Sequence, residues 1–463
     1  MGTSFAFTRY SLPLRDKGVI EKHIDWIAVW EKWAVQDSAV LLESAGDEGE
    51  AADWLILAGD PEEEFFEENG KSWIADATGL RQVATSFLDF MDEIGRNESN
   101  FSVLPFCLGM AWFGAVSYEF GKKIHLKPGR YKSISEKISV PDFYFFKPRR
   151  VLAFNRRSKE YFRFEKDFIQ DDWIPERNRD AFRVNAVQAQ WTWADYEAVV
   201  KRAKSYIANG DVYQTNLAQS FQAKWNGNPG SLYQVLREIN PAPFMGIFKG
   251  RNFIIVSSSP ERLVAGKGDW LETRPIAGTR PRGKDCVQDL QLQVELKRNQ
   301  KEQAEHLMLV DLARNDLGKV ASYGTVEVKR YAQVESYAKV HHLVSVVQAG
   351  RRRDVTMKDV FCSLFPGGTI TGCPKIRCME IIDELETMPR GFYTGSMGYV
   401  APGPSFDFNI LIRSFTLFSD GTLDFKAGSG IVADSDPRRE YMETLYKVEA
   451  LAQALGTSFL PQS

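Results

Sequence analysis

YTGSMGYV (393–400), FNILIRSFTL (408–417) and TLDFK (422–426) are three strand-like runs in close succession. They predict antiparallel strands rather than the steady β-α alternation of a parallel sheet. Downstream, Pro437 opens a helical stretch running to about residue 455, proline being favoured in a first helical turn. Upstream, residues 291–317 contain no Gly or Pro and read as one long helix. Residues 194–209 have helical periodicity that stops at Gly210, and 212–221 then alternate like a strand. Residues 151–154 and 161–164 read as a hairpin. The first 150 residues are short aromatic and β-branched runs, such as 54–57, between acidic loops, with helical pieces near 81–95. With no internal repeat and no low-complexity tract, the predicted class is α+β. The polar segment 166–190, which includes Pro175, has linker composition. It divides an expected N-terminal subdomain (1–165) from a region spanning 190–455, and the two are expected to interleave in one globular unit.

Composition narrows the function. The chain has 463 residues, a formal net charge of −3, 44% hydrophobic and 26% charged residues, the profile of a globular protein that buries a large core. Charges of both signs are mixed, with no basic block, so nucleic acid is not an expected partner. Glu62, Glu63, Glu64, Glu67 and Glu68 read as a solvated face. No apolar run of about 18 residues and no export-type h-region is present, so neither a membrane span nor secretion is expected and the location reads as cytoplasmic. Five cysteines without C-x-x-C spacing and five histidines without H-E-x-x-H argue against a disulfide framework and a zinc site. A metal, if bound, would be held by carboxylates, which points to Mg²⁺.

Glu302 and Glu305 are three residues apart in one predicted helix, and Glu440 and Glu443 in another, so each pair shares a helical face. Such pairs are ordinarily surface decoration, although two pairs brought together would suit one Mg²⁺. RPIAGTRPRG (274–283), PGGTITGCPK (366–375) and GSG (428–430) place glycines where backbone N–H groups can approach a ligand. Each alone reads as a turn. Together they would suit a small anion gripped by backbone amides.

These segments resemble the chorismate-utilising enzymes, a family that includes anthranilate synthase component I, aminodeoxychorismate synthase component I, isochorismate synthase and salicylate synthase. The resemblance is carried in order over residues 190–455 by PIAGTRPRG (275–283), AEHLMLVDLARNDLG (304–318), HLVSVV (342–347), GGTITGCPKIRCMEIIDELE (367–386) and GSGIVADSDP (428–437). It implies a large α/β sandwich of two big, mostly antiparallel sheets with outer helices and one Mg²⁺ site in a deep cleft. By the same resemblance Glu305 and Glu443 would ligate the metal, with Glu302 and Glu440 beside them. Glu261 would be the general acid that protonates the leaving hydroxyl, and His342 the active-site histidine, although His341 adjoins it. Gly278, Thr279, Tyr393, Arg413, Gly428, Ser429, Gly430 and Lys447 would receive the substrate, a dianion.

Gln214 stands where the water-adding members of the family have a lysine base. An amide cannot take a proton from water, so the resemblance favours amination by ammonia. The flanking motifs YQTNL (213–217), SSSPER (257–262) and ITG (370–372) are similar to those of aminodeoxychorismate synthases, while Ala277 is the residue of anthranilate synthases at a position where many aminodeoxychorismate synthases carry a lysine nucleophile. The expected product is 4-amino-4-deoxychorismate, with anthranilate as the alternative and an inactive regulatory relative as the non-enzymatic one. Glu43 and Ser44 in LLES (41–44), with Pro241, Phe244 and Met245 in NPAPFM (240–245), resemble the tryptophan pocket of anthranilate synthases. No glutaminase motif surrounds any cysteine, so ammonia is expected from a separate glutamine amidotransferase subunit.

Overall fold

The computed structural model describes residues 14–460 apart from 20–23, 36, 45–52, 97–103, 130–139, 167–179, 338 and 404. Most of the expected linker therefore lies outside the described residues. The strands that carry the architecture are β1 (Ala39–Glu43), β2 (Trp54–Glu68), β3 (Trp112–Val116), β4 (Phe143–Asn155), β5 (Gln214–Asn226), β6 (Phe244–Lys249), β7 (Phe253–Ser259) and β8 (Arg262–Lys267). They are followed by β9 (Trp270–Arg274), β10 (Ile276–Pro281), β11 (Glu327–Ser336), β12 (Val340–Gly350), β13 (Ser396–Ala401), β14 (Ser405–Asn409), β15 (Ser414–Phe418) and β16 (Thr422–Ile431).

Their antiparallel pairings follow two paths that meet at β2 and β4. One runs β4–β2–β1–β6–β7–β15–β16–β5. The other runs β4–β3–β13–β14–β8–β9–β12–β11, with β10 also on β12. The two large sheets of the expected sandwich are thus joined through two long shared strands. Pairing between β2 and β4 slips between Pro61 and Glu63, beside Asp60 at φ 57°, where the ladder passes from one sheet into the other. Strand periodicity lets β4 serve two cores: Phe143 and Phe145 enter one cluster, with Phe90, Phe361 and Phe408, while Tyr144 and Phe146 enter another, with Phe248 and Phe253.

Several expected elements form as read. The helix Trp193–Ala208 begins at a capping box of Thr192 and Asp195, the final helix begins at Pro437, and the hairpin pairs Phe154 with Tyr161. Others differ. Residues 79–83 form a strand and only Phe87–Gly95 is helical. The single long helix expected over 291–317 is two helices, Cys286–Arg298 and Gln300–Gly318, broken at Asn299. Asn299 has ψ 113°, outside the helical region, and its side chain accepts from the Glu302 N–H, so an N-cap rather than Gly or Pro makes the break. The strand expected over 408–417 is also two, β14 and β15, because residues 410–413 cross from one sheet to the other. The link 260–261 between β7 and β8 makes the same crossing in the opposite direction, and the two are stitched together by Ile410 N–H to Glu261 O (3.0 Å) and Ser258 N–H to Arg413 O (3.1 Å). Glu261 and Arg413 are therefore delivered at neighbouring crossovers between the sheets.

Candidate functional site

Glu261 is buried, and loss of solvation raises its carboxyl pKa from 4.5 to about 7, against smaller lowering effects from Thr369 and the Lys447 ammonium. A carboxylic acid with that pKa keeps a substantial protonated fraction at neutral pH and can donate a proton. His342 is buried too, and burial with the nearby Arg413 charge drives its pKa down to about 3, so the imidazole is neutral. Its Nδ1 lies 3.0 Å from Gly278 O and 3.1 Å from Thr279 Oγ1. A carbonyl only accepts, so Nδ1 carries the hydrogen and Nε2 keeps the lone pair. His341 points the other way, with Nδ1 2.8 Å from Ser336 Oγ and Nε2 3.1 Å from Asp289 Oδ1. Only His342 of the pair joins the Gly278–Thr279 segment.

Arg413 sits at φ 51°, a left-handed conformation costing a non-glycine residue about 1–2 kcal/mol. Burial lowers the pKa of its guanidinium, which has no carboxylate partner among the described residues. Lys447 donates to Gly428 O at 3.0 Å and pairs with Glu443 at 2.7 Å, and Tyr393 hydrogen-bonds the Gly428 backbone. Gln214 lies across β16: a Cβ at Gly430 would come within 2.1 Å of its amide nitrogen, so a larger residue there would displace the Gln214 side chain. The Ser429 hydroxyl turns away to Tyr196 OH at 3.0 Å, and Ser429 lies opposite Leu217 in the ladder between β5 and β16.

The four glutamates are placed by two helices, Gln300–Gly318 and Pro437–Ala454. Glu302 pairs with Arg280 at 3.1 Å, and a Cβ at Gly278 would fall 2.9 Å from its Oε2, which together with a φ of 62° makes a side chain at 278 strained. Glu305 faces Lys301 at 3.5 Å, Glu440 accepts from Ser435 at 2.7 Å, and Glu443 holds Lys447. Burial, with Glu302 and Glu443 nearby, raises the pKa of Glu305 over the opposing pull of Lys301. Lys301 in turn feels Glu305, Glu440 and Glu443, its pKa raised by them against desolvation. The two helices therefore bring their acids into one field. Among the described residues, no three acidic, His or Cys side chains are already drawn together as a metal cage. The all-oxygen donor set suits a hard divalent cation that keeps several of its waters.

The residues resembling a tryptophan pocket also converge. Glu43 lies at the end of β1 opposite Met245 of β6 and is held by Tyr233 (2.7 Å), Arg237 (2.8 Å) and Arg156. The buried Ser44 hydroxyl has no partner among the described residues. Pro241 and Phe244 are half-buried on the link leading into β6 and at its first residue.

Sequence reasoning missed Arg390. Its side chain is 1% exposed and all its N–H groups are engaged: Nε and Nη2 on Glu386 (2.9 and 2.7 Å), Nη2 on Asn216 O (2.9 Å), and Nη1 on Ile370 O (2.8 Å) and Thr394 Oγ1 (3.3 Å). It ties β5, the 366–372 loop and the Tyr393 segment together. Its only signal in the sequence was an arginine between apolar stretches. Thr369, beside Glu261, was quoted only as part of a glycine-rich turn.

No helix among the described residues is long and apolar enough to cross a membrane. Residues 37–453 match the family described as chorismate binding enzyme. The chain is 38% identical over 436 residues to an anthranilate synthase component I-like protein of Synechocystis sp., covering 91% of this chain and 87% of that one. It is 38% identical over 366 residues to aminodeoxychorismate synthase component 1 of Bacillus subtilis, covering 74% and 77%. Anthranilate synthase component I of Streptococcus pneumoniae superposes with a TM-score of 0.73 at 31% identity, over 87% of this chain and 93% of that one. The menaquinone-specific isochorismate synthase of Escherichia coli shares the fold, with a TM-score of 0.69 at 19% identity, over 97% and 96%. With residues 37–453 matched to its family model and the two-sheet fold in place, the chain belongs to the chorismate-binding enzyme family.

Proposed function

We propose that this chain aminates chorismate with ammonia in a Mg²⁺-dependent reaction and releases 4-amino-4-deoxychorismate. The observation that carries the reading is the Glu261 carboxyl, raised to about 7 by burial within reach of the Lys447 field. As the ring C–O bond breaks and nitrogen adds, Glu261 gives its proton to the leaving hydroxyl, which departs as water. Arg413, charged and without an acid partner among the described residues, is suited to one substrate carboxylate as a planar fork. The backbone of 428–430, with Lys447 and Tyr393, is suited to hold the ring in register. Neutral His342 accepts a hydrogen bond at Nε2, with Thr279 and Gly278 fixing its tautomer. Gln214 offers an amide and no base, so it does not activate water. Glu305 and Glu443, flanked by Glu302 and Glu440, would hold Mg²⁺, which supplies positive charge to a substrate carboxylate when bound.

Anthranilate is the second reading, and Ala277 favours it. This residue is buried in β10 and offers no amine for covalent attack on the ring. Ammonia is taken from a separate glutamine amidotransferase, and the setting is cytoplasmic. Incubating the purified chain with chorismate, Mg²⁺ and ammonium and separating the products distinguishes the two. Aminodeoxychorismate supports the first reading, anthranilate the second, and unchanged chorismate refutes both.

A further inference from the structure

The helix Gln300–Gly318 continues past Glu302 and Glu305 with Leu309, Leu312 and Asp316 on the same face, at three- and four-residue spacing. A narrow cleft of about 30 Å³ follows that face away from the candidate metal residues. Glu261 and Thr369 line it together with Leu309, Leu312, Ala313 and Asp316. About 10–15 Å³ accommodates one water, so this volume holds about two. The Thr369 hydroxyl oxygen is shielded from solvent and has no partner in hydrogen-bonding geometry among the described residues, although it stands close enough to act on the Glu261 carboxyl. At the far end, the buried Asp316 carboxylate pairs with Lys375 at 2.9 Å and with Lys319 at 2.8 Å, and Lys319 is 53% exposed. Lys375 also donates to Ser363 O and Leu364 O (3.1 and 3.2 Å), which fixes that end. Arg262, the other charged lining residue, is committed to Asp407 and Glu272 (2.7 and 2.6 Å). Lys447 is the cation whose field reaches Glu261 from the final helix.

We propose that this cleft is a water-filled proton return path to Glu261, with Thr369 as the positioning residue at its inner end and Asp316 orienting the water at its outer end. The proposal rests on Glu261 being the general acid. Each turnover leaves Glu261 as a carboxylate, its proton having left with the hydroxyl as water, while the added nitrogen sheds its extra proton to solvent. One proton must come back to the same carboxyl, and bound substrate covers the open side. None of the residues expected to receive the substrate lines the cleft, and its Asp316 pairs with the solvent-exposed Lys319. The Thr369 hydroxyl accepts from the water and donates to Glu261, so the proton passes without movement of either element.

Thr369→Val removes the hydroxyl at constant volume, and Ala313→Leu fills the cleft while leaving every polar group in place. The expected result for each is a fall in kcat of about tenfold, a fraction of the full effect of a general acid. KM should be unchanged and the solvent deuterium isotope effect on kcat larger, as proton return becomes limiting. Thr369→Ser should restore both. Wild-type kcat and isotope effect in Thr369→Val and Ala313→Leu, measured beside an inactive Glu261→Gln, would overturn the path and leave the general acid standing. A Thr369→Ser as slow as Thr369→Val would reduce Thr369 to packing and overturn the proposal equally. An active Glu261→Gln would remove the general acid itself.

Discussion

Glu261→Gln should make the protein more stable while making it nearly inactive. The folded protein holds the Glu261 proton with a pKa of about 7 against 4.5 for a solvated carboxyl. At about 1.4 kcal/mol for each factor of ten in the ionisation constant, the ionised form costs the fold on the order of 3 kcal/mol. The sign follows from the raised pKa: Glu261 burdens the fold least below about 4.5, and stability is lost as pH rises through about 7. Glutamine has the shape of the protonated acid and no charge to lose. In urea denaturation without substrate or metal, wild type and variant should therefore be similar near pH 4.5, with the variant ahead by up to about 3 kcal/mol at pH 8. Turnover of the variant should fall by two or more orders of magnitude, the rough scale of general acid catalysis, with chorismate binding retained. For wild type, kcat/KM at fixed free ammonia should decline as pH rises through about 7. A stability difference that is the same at pH 5 and pH 8 would show that Glu261 is not held protonated in the fold, and the acid role would go with it.

Glu305→Gln and Glu443→Gln should each weaken Mg²⁺ binding in calorimetry and lower turnover at least about a hundredfold with the fold intact, since each removes an anionic oxygen from a hard cation; full turnover after chelation would refute the metal assignment. The isolated chain should use ammonium but not glutamine, and glutamine-dependent product from the chain alone would refute the need for a separate amidotransferase. Gln214→Lys places an amine where the water-adding relatives carry a base, so some isochorismate should appear while amination falls. A folded, chorismate-binding variant that aminates normally and forms none would show that position 214 does not select the nucleophile.

How much of this was legible in the sequence depended on whether a feature is local. The final helix could be read because Pro437 is a signal within one turn, and the helix Trp193–Ala208 because its periodicity runs unbroken. The break at Asn299 was also local, but it is made by a side-chain cap that resembles any other asparagine until Glu302 N–H is seen to point at it. The run 408–417 looked continuous because its apolar residues remain apolar through the crossing. Nothing short-range reveals that Asn409 pairs with Arg262 in one sheet while Ser414 pairs with Ser257 in the other. That crossing gives Arg413 its left-handed backbone and sets it beside the 257–261 link, so the part of the strand that misled the reading builds the site. The same distinction separates the glutamates from Arg390. Spacing put each glutamate pair on one helical face, whereas Arg390 acts through carbonyls of Asn216 and Ile370, 174 and 20 residues away, which no window of sequence contains. A buried guanidinium with every donor engaged holds by closing long loops, and beside the nearby Glu386 and Thr394 side chains its long-range partners are main-chain carbonyls whose residue types are free to vary. Side-chain chemistry repeated at helical spacing can therefore be read before the fold is known, and the backbone contacts that aim that chemistry become visible only with it.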